Sequence, residues 1–178
     1  MPELVNDLLD HNPNIKWVHG FYTGVEHFMT PELKEKSKAG RFELSNCKGA
    51  FSKQVAEFVL YAMMWFAKNG NKWTNDRINK KWEPVTLSLL AGKTVGIVGF
   101  GSVGCEIAKL LKNAFGMRVL IVKRDVSILS DLQMTLADEI LCNNDEDIGH
   151  LLSESDYVIN TLPFTPQTVD FWDLAKFK

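Results

Sequence analysis

The sequence predicts an α/β fold built on a parallel sheet, and three observations carry that prediction. Short β-branched runs alternate with helical stretches through the second half of the chain, the pattern of strand–helix–strand units with right-handed crossovers. A glycine-rich turn, Gly99-Phe100-Gly101-Ser102-Val103-Gly104, follows one such run directly and opens a helix directly. Glycines 24, 40 and 49 punctuate a similar alternation in the first half.

Ile15 to His19 (IKWVH) reads as a short buried strand ended by Gly20. After a loop holding Thr23-Gly24, Thr30 is placed to cap a helix with Pro31 at its first position. Phe42 to Leu44 reads as a second short strand. Ser52 to Lys68 is the strongest helix in the chain, with Ser52 as its cap and apolar side chains around most of its circumference. Such a helix has to be buried, here at a domain boundary or against a partner subunit. Asn69 to Trp82 reads as a polar arm that packs Trp73, Ile78 and Trp82 on another element, and the tryptophans read as core residues.

The second half alternates cleanly. Strands are expected at Lys93 to Val98 (KTVGIV), Arg118 to Val122 (RVLIV), Glu139 to Cys142 (EILC) and Asp156 to Asn160 (DYVIN). Helices are expected at Ser102 to Ala114 and Asp145 to Leu152. The last strand is left with an unpaired edge.

Composition narrows the class. The 178 residues suit one compact domain, or one domain with part of another. Hydrophobic residues at 46% and charged residues at 24% are ordinary for a soluble globular protein. A net charge of −2 and a pI near 6.1 argue against nucleic acid or an anionic membrane as partner. The opening residues lack the basic start and apolar run of a signal peptide. Val55 to Ala67 contains Glu57 and is too short to span a bilayer, so the protein reads as cytoplasmic. Cys47, Cys105 and Cys142 form no CxxC pair and have no histidine at ligand spacing. They read as reduced packing residues, with neither a disulfide framework nor zinc.

The glycine turn gives the chemistry. Gly99 permits the tight exit from the strand, Gly101 lets the backbone approach a pyrophosphate, and Gly104 lets the helix sit close on the sheet. The helix N-terminus then offers free N–H groups and the positive end of its dipole to phosphates. A kinase glycine loop connects two strands, and a Walker A loop ends in Gly-Lys-Ser/Thr; neither fits here. The expectation is a Rossmann dinucleotide-binding domain. An NAD-selective site closes the second strand with an acid that binds the ribose hydroxyls. Here RVLIV is followed by Lys123-Arg124, with Asp125 beyond. Two cations there suit a 2′-phosphate, so NADP(H) is favoured over NAD(H). Asp125 keeps NAD(H) open, and solvated surface charges remain the plainer alternative.

These residues resemble the D-isomer-specific 2-hydroxyacid dehydrogenase family over nearly the whole chain. The most specific stretches are WVHGFYTGVEHF (Trp17 to Phe28), LSNCKGAFSKQVAEFVL (Leu44 to Leu60), LAGKTVGIVGFGSVGCEIAKLL (Leu90 to Leu111), FGMRVLIVKR (Phe115 to Arg124) and DYVINTLPFTPQT (Asp156 to Thr168). The resemblance implies an NAD(P)H-dependent reductase of 2-keto acids such as glyoxylate or hydroxypyruvate, with a cleft between two α/β domains. It implies a partial, flavodoxin-like substrate domain in residues 1–53, an interdomain and homodimer segment in 54–82, and an incomplete Rossmann domain in 83–178. Thr23, Gly24 and Val25 match the loop whose backbone N–H groups hold the substrate carboxylate. Ser102 and Val103 match positions under the pyrophosphate, Lys123 replaces the usual ribose-binding acid, and Leu162 and Pro163 match the turn beside the nicotinamide ribose.

The departures matter as much. In the family an arginine clamps the substrate, and a histidine paired with a glutamate protonates the ketone oxygen. All three lie downstream of the LPxTP turn, and this sequence reaches Lys178 before they would appear. His11, His19, His27 and His150 occupy none of those positions, so no catalytic residue is assigned and the chain is expected to be inactive alone. A non-catalytic dinucleotide-binding or dimerising module is the alternative. A Rossmann oxidoreductase of another type is opposed by the LPFTPQT turn.

Overall fold

The computed structural model describes residues 2–25, 28–169 and 171–172. The chain divides into two compact units, Met1–Phe51 and Ser52–Lys178.

The first unit runs α1 (Pro2–His11), β1 (Trp17–Gly20), α2 (Pro31–Lys38) and β2 (Glu43–Asn46). The two strands pair in parallel, from Trp17 opposite Glu43 to Gly20 opposite Asn46. Leu9, Leu33 and Phe42 form a small core that Val5, Ile15, Val18 and Leu44 extend. Thr30 caps α2 by accepting from the Leu33 N–H, with Pro31 at the first position, as its sequence predicts. The Arg41 guanidinium ties α1 to the strands. It donates to the carbonyls of Ile15 at 2.7 Å, Asn12 at 2.9 Å and Leu9.

The second unit runs α3 (Ser52–Ala67), α4 (Gly70–Ile78), β3 (Thr94–Val98), α5 (Ser102–Phe115), β4 (Arg118–Lys123), a 3-10 turn at Val126–Ile128, α6 (Asp131–Leu136), β5 (Glu139–Cys142), α7 (Asp145–Glu154) and β6 (Tyr157–Asn160). Its four strands are all parallel, in the order β5-β4-β3-β6. The chain therefore steps outward twice from β3 and then returns to lay β6 on the other side of β3. That reversal is the topological switch point of a doubly wound Rossmann sheet.

Both faces of the sheet are covered. Val95, Ile97, Val119 and Ile121 pack under α5 and α3, against Ile107, Leu111, Ala56 and Met63. Val98, Leu120, Val122 and Leu141 pack under α7, against Ile148 and Leu151. Alternate side chains point to opposite faces, so burial on both makes the strands continuous apolar runs. Charged pairs close the strand starts. Asp156 accepts from Lys93 Nζ at 2.7 Å and from the Thr94 N–H at 2.9 Å. Asp138 accepts from Lys112 Nζ at 2.7 Å and from the Val119 N–H at 2.8 Å.

Several expectations need correction. Ser52 is the first residue of α3 rather than its cap, and its buried Oγ makes no hydrogen bond. Within this chain α3 buries one stripe, through Ala56, Met63 and Ala67, and its own unit leaves Phe58 69%, Tyr61 60% and Phe66 70% exposed, so the burial expected of those rings is not supplied by this unit. The arm after it contains a helix, α4, held by Lys72 between Asp76 at 2.7 Å and Glu83 at 3.0 Å. Its aromatics do not pack as expected: Trp82 is 91% exposed, and Trp17 in the first unit 64%. Of the three cysteines expected to pack, Cys105 does so, against the core shared by α3, α5 and the sheet. Cys47 and Cys105 are half-buried, Cys142 is exposed at the end of an edge strand, and all three are free. Among the described residues no helix is long and apolar enough to cross a membrane.

Candidate functional site

The site is built at the C-terminal ends of β3, β4 and β6. Gly99 leaves β3 at φ +93°, a conformation that side chains with a Cβ rarely adopt. A Cβ there would also lie 3.0 Å from the Thr161 carbonyl carbon, so the turn and the end of β6 are in contact. Gly104, one turn into α5, would place a Cβ 2.5 Å from the Gly99 carbonyl oxygen. Gly101 differs from both, because a Cβ built on it meets nothing within 4 Å.

No side chain caps α5 at Gly101. The first turn of the helix therefore carries N–H groups without intrahelical partners, beside open space on the side where Gly101 lacks a Cβ. Ser102 and Val103 are half-buried at this end and Gly104 is buried. An uncapped helix end facing open space fits a phosphate group. Thr161 secures the turn from β6: its N–H donates to the Val98 carbonyl at 2.8 Å, and its Oγ1 donates to the Gly99 carbonyl. Sequence reasoning passed over Thr161. Its signal is a hydroxyl residue directly after the strand that pairs beside the glycine turn.

Lys123 closes β4 and is half-buried, and Arg124 beyond it is exposed. Asp125 is committed locally. One of its oxygens accepts from the Ser127 N–H at 3.0 Å and the Ser127 hydroxyl at 2.6 Å, capping the 3-10 turn. These bonds, with Lys123 and Arg124 nearby, hold its carboxyl below the ordinary value. Leu162 packs into the core under α7, and its N–H donates to Asn160 Oδ1 at 3.1 Å. The Pro163 carbonyl accepts from Thr168 Oγ1, which also accepts from the Thr165 N–H at 2.9 Å, so the LPFTPQT segment closes on itself.

The expected substrate loop lies in the first unit. The Thr23 carbonyl accepts from Asn46 Nδ2 at 2.7 Å, and the Tyr22 carbonyl from the Cys47 N–H at 3.4 Å. In a trans peptide the N–H points opposite to the preceding carbonyl, so the N–H groups of Thr23 and Gly24 face away from Asn46 and Cys47. The Val25 carbonyl accepts from the N–H groups of Phe28 at 3.2 Å and Met29 at 2.9 Å.

The histidines fall elsewhere. His11 pairs with Asp7 at 3.1 Å on α1, and His19 lies on β1 beside Ser45. His150 pairs with Glu139 at 2.8 Å, toward the start of β5 and so the opposite end of the sheet from the glycine turn. His27 lies outside the described residues. A depression of about 510 Å³ lined by Lys112, Gly116, Met117, Arg118 and Asp138 also sits at that opposite end. Its charges are already paired, Lys112 with Asp138 and Arg118 with Glu139 and Glu154.

Residues 60–178 match the family model described as "D-isomer specific 2-hydroxyacid dehydrogenase, NAD binding domain". The chain belongs to the D-isomer specific 2-hydroxyacid dehydrogenase family. It is 29% identical to a hydroxypyruvate reductase of Thermotoga maritima over 177 residues, which cover 97% of this chain and 53% of that protein. Its fold resembles the crystal structure of a glyoxylate reductase from Paecilomyes thermophila, with TM-score 0.76, 22% identity, and coverage of 99% of this chain and 51% of that one. It also resembles an NADPH-dependent glyoxylate/hydroxypyruvate reductase of Sinorhizobium meliloti solved in complex with NADP and sulfate, with TM-score 0.70, 22% identity, and coverage of 94% and 48%. The chain thus spans about half the length of the family members it matches. The glycine turn, β4 with its two cations, and the LPFTPQT segment all fall inside the matched NAD-binding domain.

Proposed function

We propose that this chain is the dinucleotide-binding portion of an oxidoreductase that acts on the CH–OH group of D-2-hydroxy acids, reducing 2-keto acids such as glyoxylate or hydroxypyruvate. The observation that carries the reading is the uncapped N-terminus of α5 beside open space at Gly101, at the switch point of the sheet. Gly99, Gly101, Ser102, Val103 and Gly104 hold the pyrophosphate, and Leu162 and Pro163 run beside the nicotinamide ribose. A bound nicotinamide dinucleotide supplies the hydride. Lys123 and Arg124 pair with a 2′-phosphate, and the engagement of Asp125 with Ser127 favours NADP(H) over NAD(H).

In the same reading residues 1–53 are part of a substrate domain, and the outward N–H groups at Thr23 and Gly24, with Val25 completing the loop, receive the substrate carboxylate. Residues 54–82 join the domains and form a homodimer surface, supported by the exposed Phe58, Tyr61 and Phe66 on α3. Three free cysteines suit a reducing, cytoplasmic setting.

Residues 1–178 by themselves are proposed to bind the cofactor without turning substrate over, because the His150–Glu139 pair stands at the wrong end of the sheet. Calorimetric titration with NADPH and NADH tests the binding, and NADPH oxidation with glyoxylate or hydroxypyruvate tests the chemistry. Saturable binding with no turnover supports the reading, and no binding of either dinucleotide rejects it. The same His150 placement favours the second reading, a non-catalytic binding or dimerising module. A longer natural form that oxidises NADPH with these keto acids would reject that one.

A further inference from the structure

We propose that Cys47 is a nucleophilic thiol, activated by His19 and open to thiol–disulfide exchange with small-molecule disulfides. The parallel register sets His19 of β1 opposite Ser45 of β2, and the two-residue period of a strand puts Trp17 on the same face as His19. Cys47 follows β2 directly. Four side chains then form a chain of contacts. Trp17 Nε1 donates to Ser45 Oγ at 2.7 Å, His19 Nδ1 lies 2.8 Å from the same oxygen, and Cys47 Sγ lies 3.5 Å from His19 Nε2. Trp17 and Phe21 flank the imidazole, with ring centroids at 5.8 Å and 5.9 Å.

The donor inventory orients the base. An indole N–H only donates, so it takes one lone pair of Ser45 Oγ. In the tautomer that carries its proton on Nδ1, His19 donates to the second lone pair, and Nε2, 3.5 Å from Cys47 Sγ, is then the atom that takes the thiol proton. A nucleophile within reach of a base, with the base held by a third group, is the arrangement that activates cysteine and serine nucleophiles on unrelated folds. His19 is exposed, so a small reagent can reach the pair.

In the exchange, Nε2 takes the thiol proton as Sγ attacks one sulfur of the disulfide. The reagent's S–S bond breaks as the new bond to Cys47 forms, and the departing thiolate takes the proton back from His19. Cys47 is oxidised to the disulfide level and the leaving sulfur is reduced to a thiol. The adduct would sit against the Thr23–Val25 loop, because the Cys47 N–H and Asn46 Nδ2 hold the carbonyls of Tyr22 and Thr23. The inference uses only residues of the first unit, and it stands whether or not the dinucleotide reading does.

The two other cysteines provide internal comparisons. Cys142 is the exposed one, and Cys105 Sγ lies 3.0 Å from Gln133 Nε2. Exposure alone ranks Cys142 first in reactivity, whereas base assistance ranks Cys47 first. The 178-residue protein is treated briefly with dithiodipyridine and the labelled peptides are quantified by mass spectrometry. Cys47 is expected to react first, and His19→Asn to slow it by about tenfold or more while leaving Cys105 and Cys142 unchanged. Circular dichroism confirms that the variant is folded, and the ranking in the unaltered protein is decisive by itself. Faster labelling of Cys142, or an unchanged Cys47 rate in folded His19→Asn, would overturn the proposal.

Discussion

Gly104 and Gly99 approach so closely that a Cβ on the first would stand 2.5 Å from the carbonyl oxygen of the second. The obstacle is backbone, which cannot rotate away as a flexible side chain would. Gly104→Ala therefore has to push α5 off the turn. A loss of about 1–3 kcal/mol is expected, read from chemical denaturation. Gly101→Ala meets nothing within 4 Å, so it should leave stability nearly unchanged while weakening dinucleotide binding. If Gly101→Ala binds NADPH like the parent, the pyrophosphate does not lie over Gly101.

Thr161 is the latch between β6 and that turn. Thr161→Val keeps the shape and removes the hydroxyl that donates to the Gly99 carbonyl, costing about 1 kcal/mol. Thr161→Ser keeps the hydroxyl and is expected to retain most dinucleotide affinity. A larger loss in Thr161→Ser than in Thr161→Val would mean that the methyl group, rather than the hydrogen bond, matters.

Charge reversal tests the cofactor preference. Lys123→Glu combined with Arg124→Glu is expected to weaken NADPH by about tenfold or more, equivalent to about 1.4 kcal/mol, and to spare NADH. Parallel titrations provide the check. An equal effect on both dinucleotides would remove these two side chains from 2′-phosphate recognition.

Asp156 gives a pH signature at the other end of the sheet. Hydrogen bonds from Lys93 and the Thr94 N–H hold its carboxyl below the ordinary 3.8. A carboxyl depressed in the folded state contributes stability that is fully present above its unfolded value, and loses it as pH falls through the folded value. Thermal melts of the parent and Asp156→Asn should thus differ at neutral pH and converge as the pH is lowered past that range. A gap that stays constant down to strong acid would show that charge is not its source.

The exposed stripe of α3 predicts association. Phe58→Glu combined with Phe66→Glu is expected to yield a monomer in sedimentation experiments while leaving the melting temperature nearly unchanged, since neither ring is in the core. A parent protein that is already monomeric would dismiss the homodimer surface.

The sheet was legible in the sequence because burial on both faces leaves long β-branched runs, as in Val95–Val98 and Val119–Val122. The glycine turn was legible because Gly99 and Gly104 answer local steric demands, with Gly101 between them at the spacing of a phosphate-binding turn. Elements with weak apolar patterning were not. The α1 helix buries only Leu9 fully, and α4 starts at Asn69 in a left-handed conformation without a side-chain cap. The α6 helix did carry a readable start, the Ser130–Gln133 capping box, within a segment that buries no residue fully. Contacts across the sheet were the least accessible. Thr161 reaches Gly99, and His19 reaches Ser45 and Cys47, only through strand order and register, which periodicity alone does not fix.

The strand order also sets a timetable. β3 sits between β4, which follows it soon in the chain, and β6, which pairs Tyr157 with Val95 across two intervening helix–strand units. As the polypeptide leaves the ribosome, the glycine turn and the helix behind it emerge well before the segment that clamps them. Until Thr161 is out, the cradle has a floor without a lock. Closure of the turn therefore waits for the later-made strand, and comes when β6 slots in beside β3.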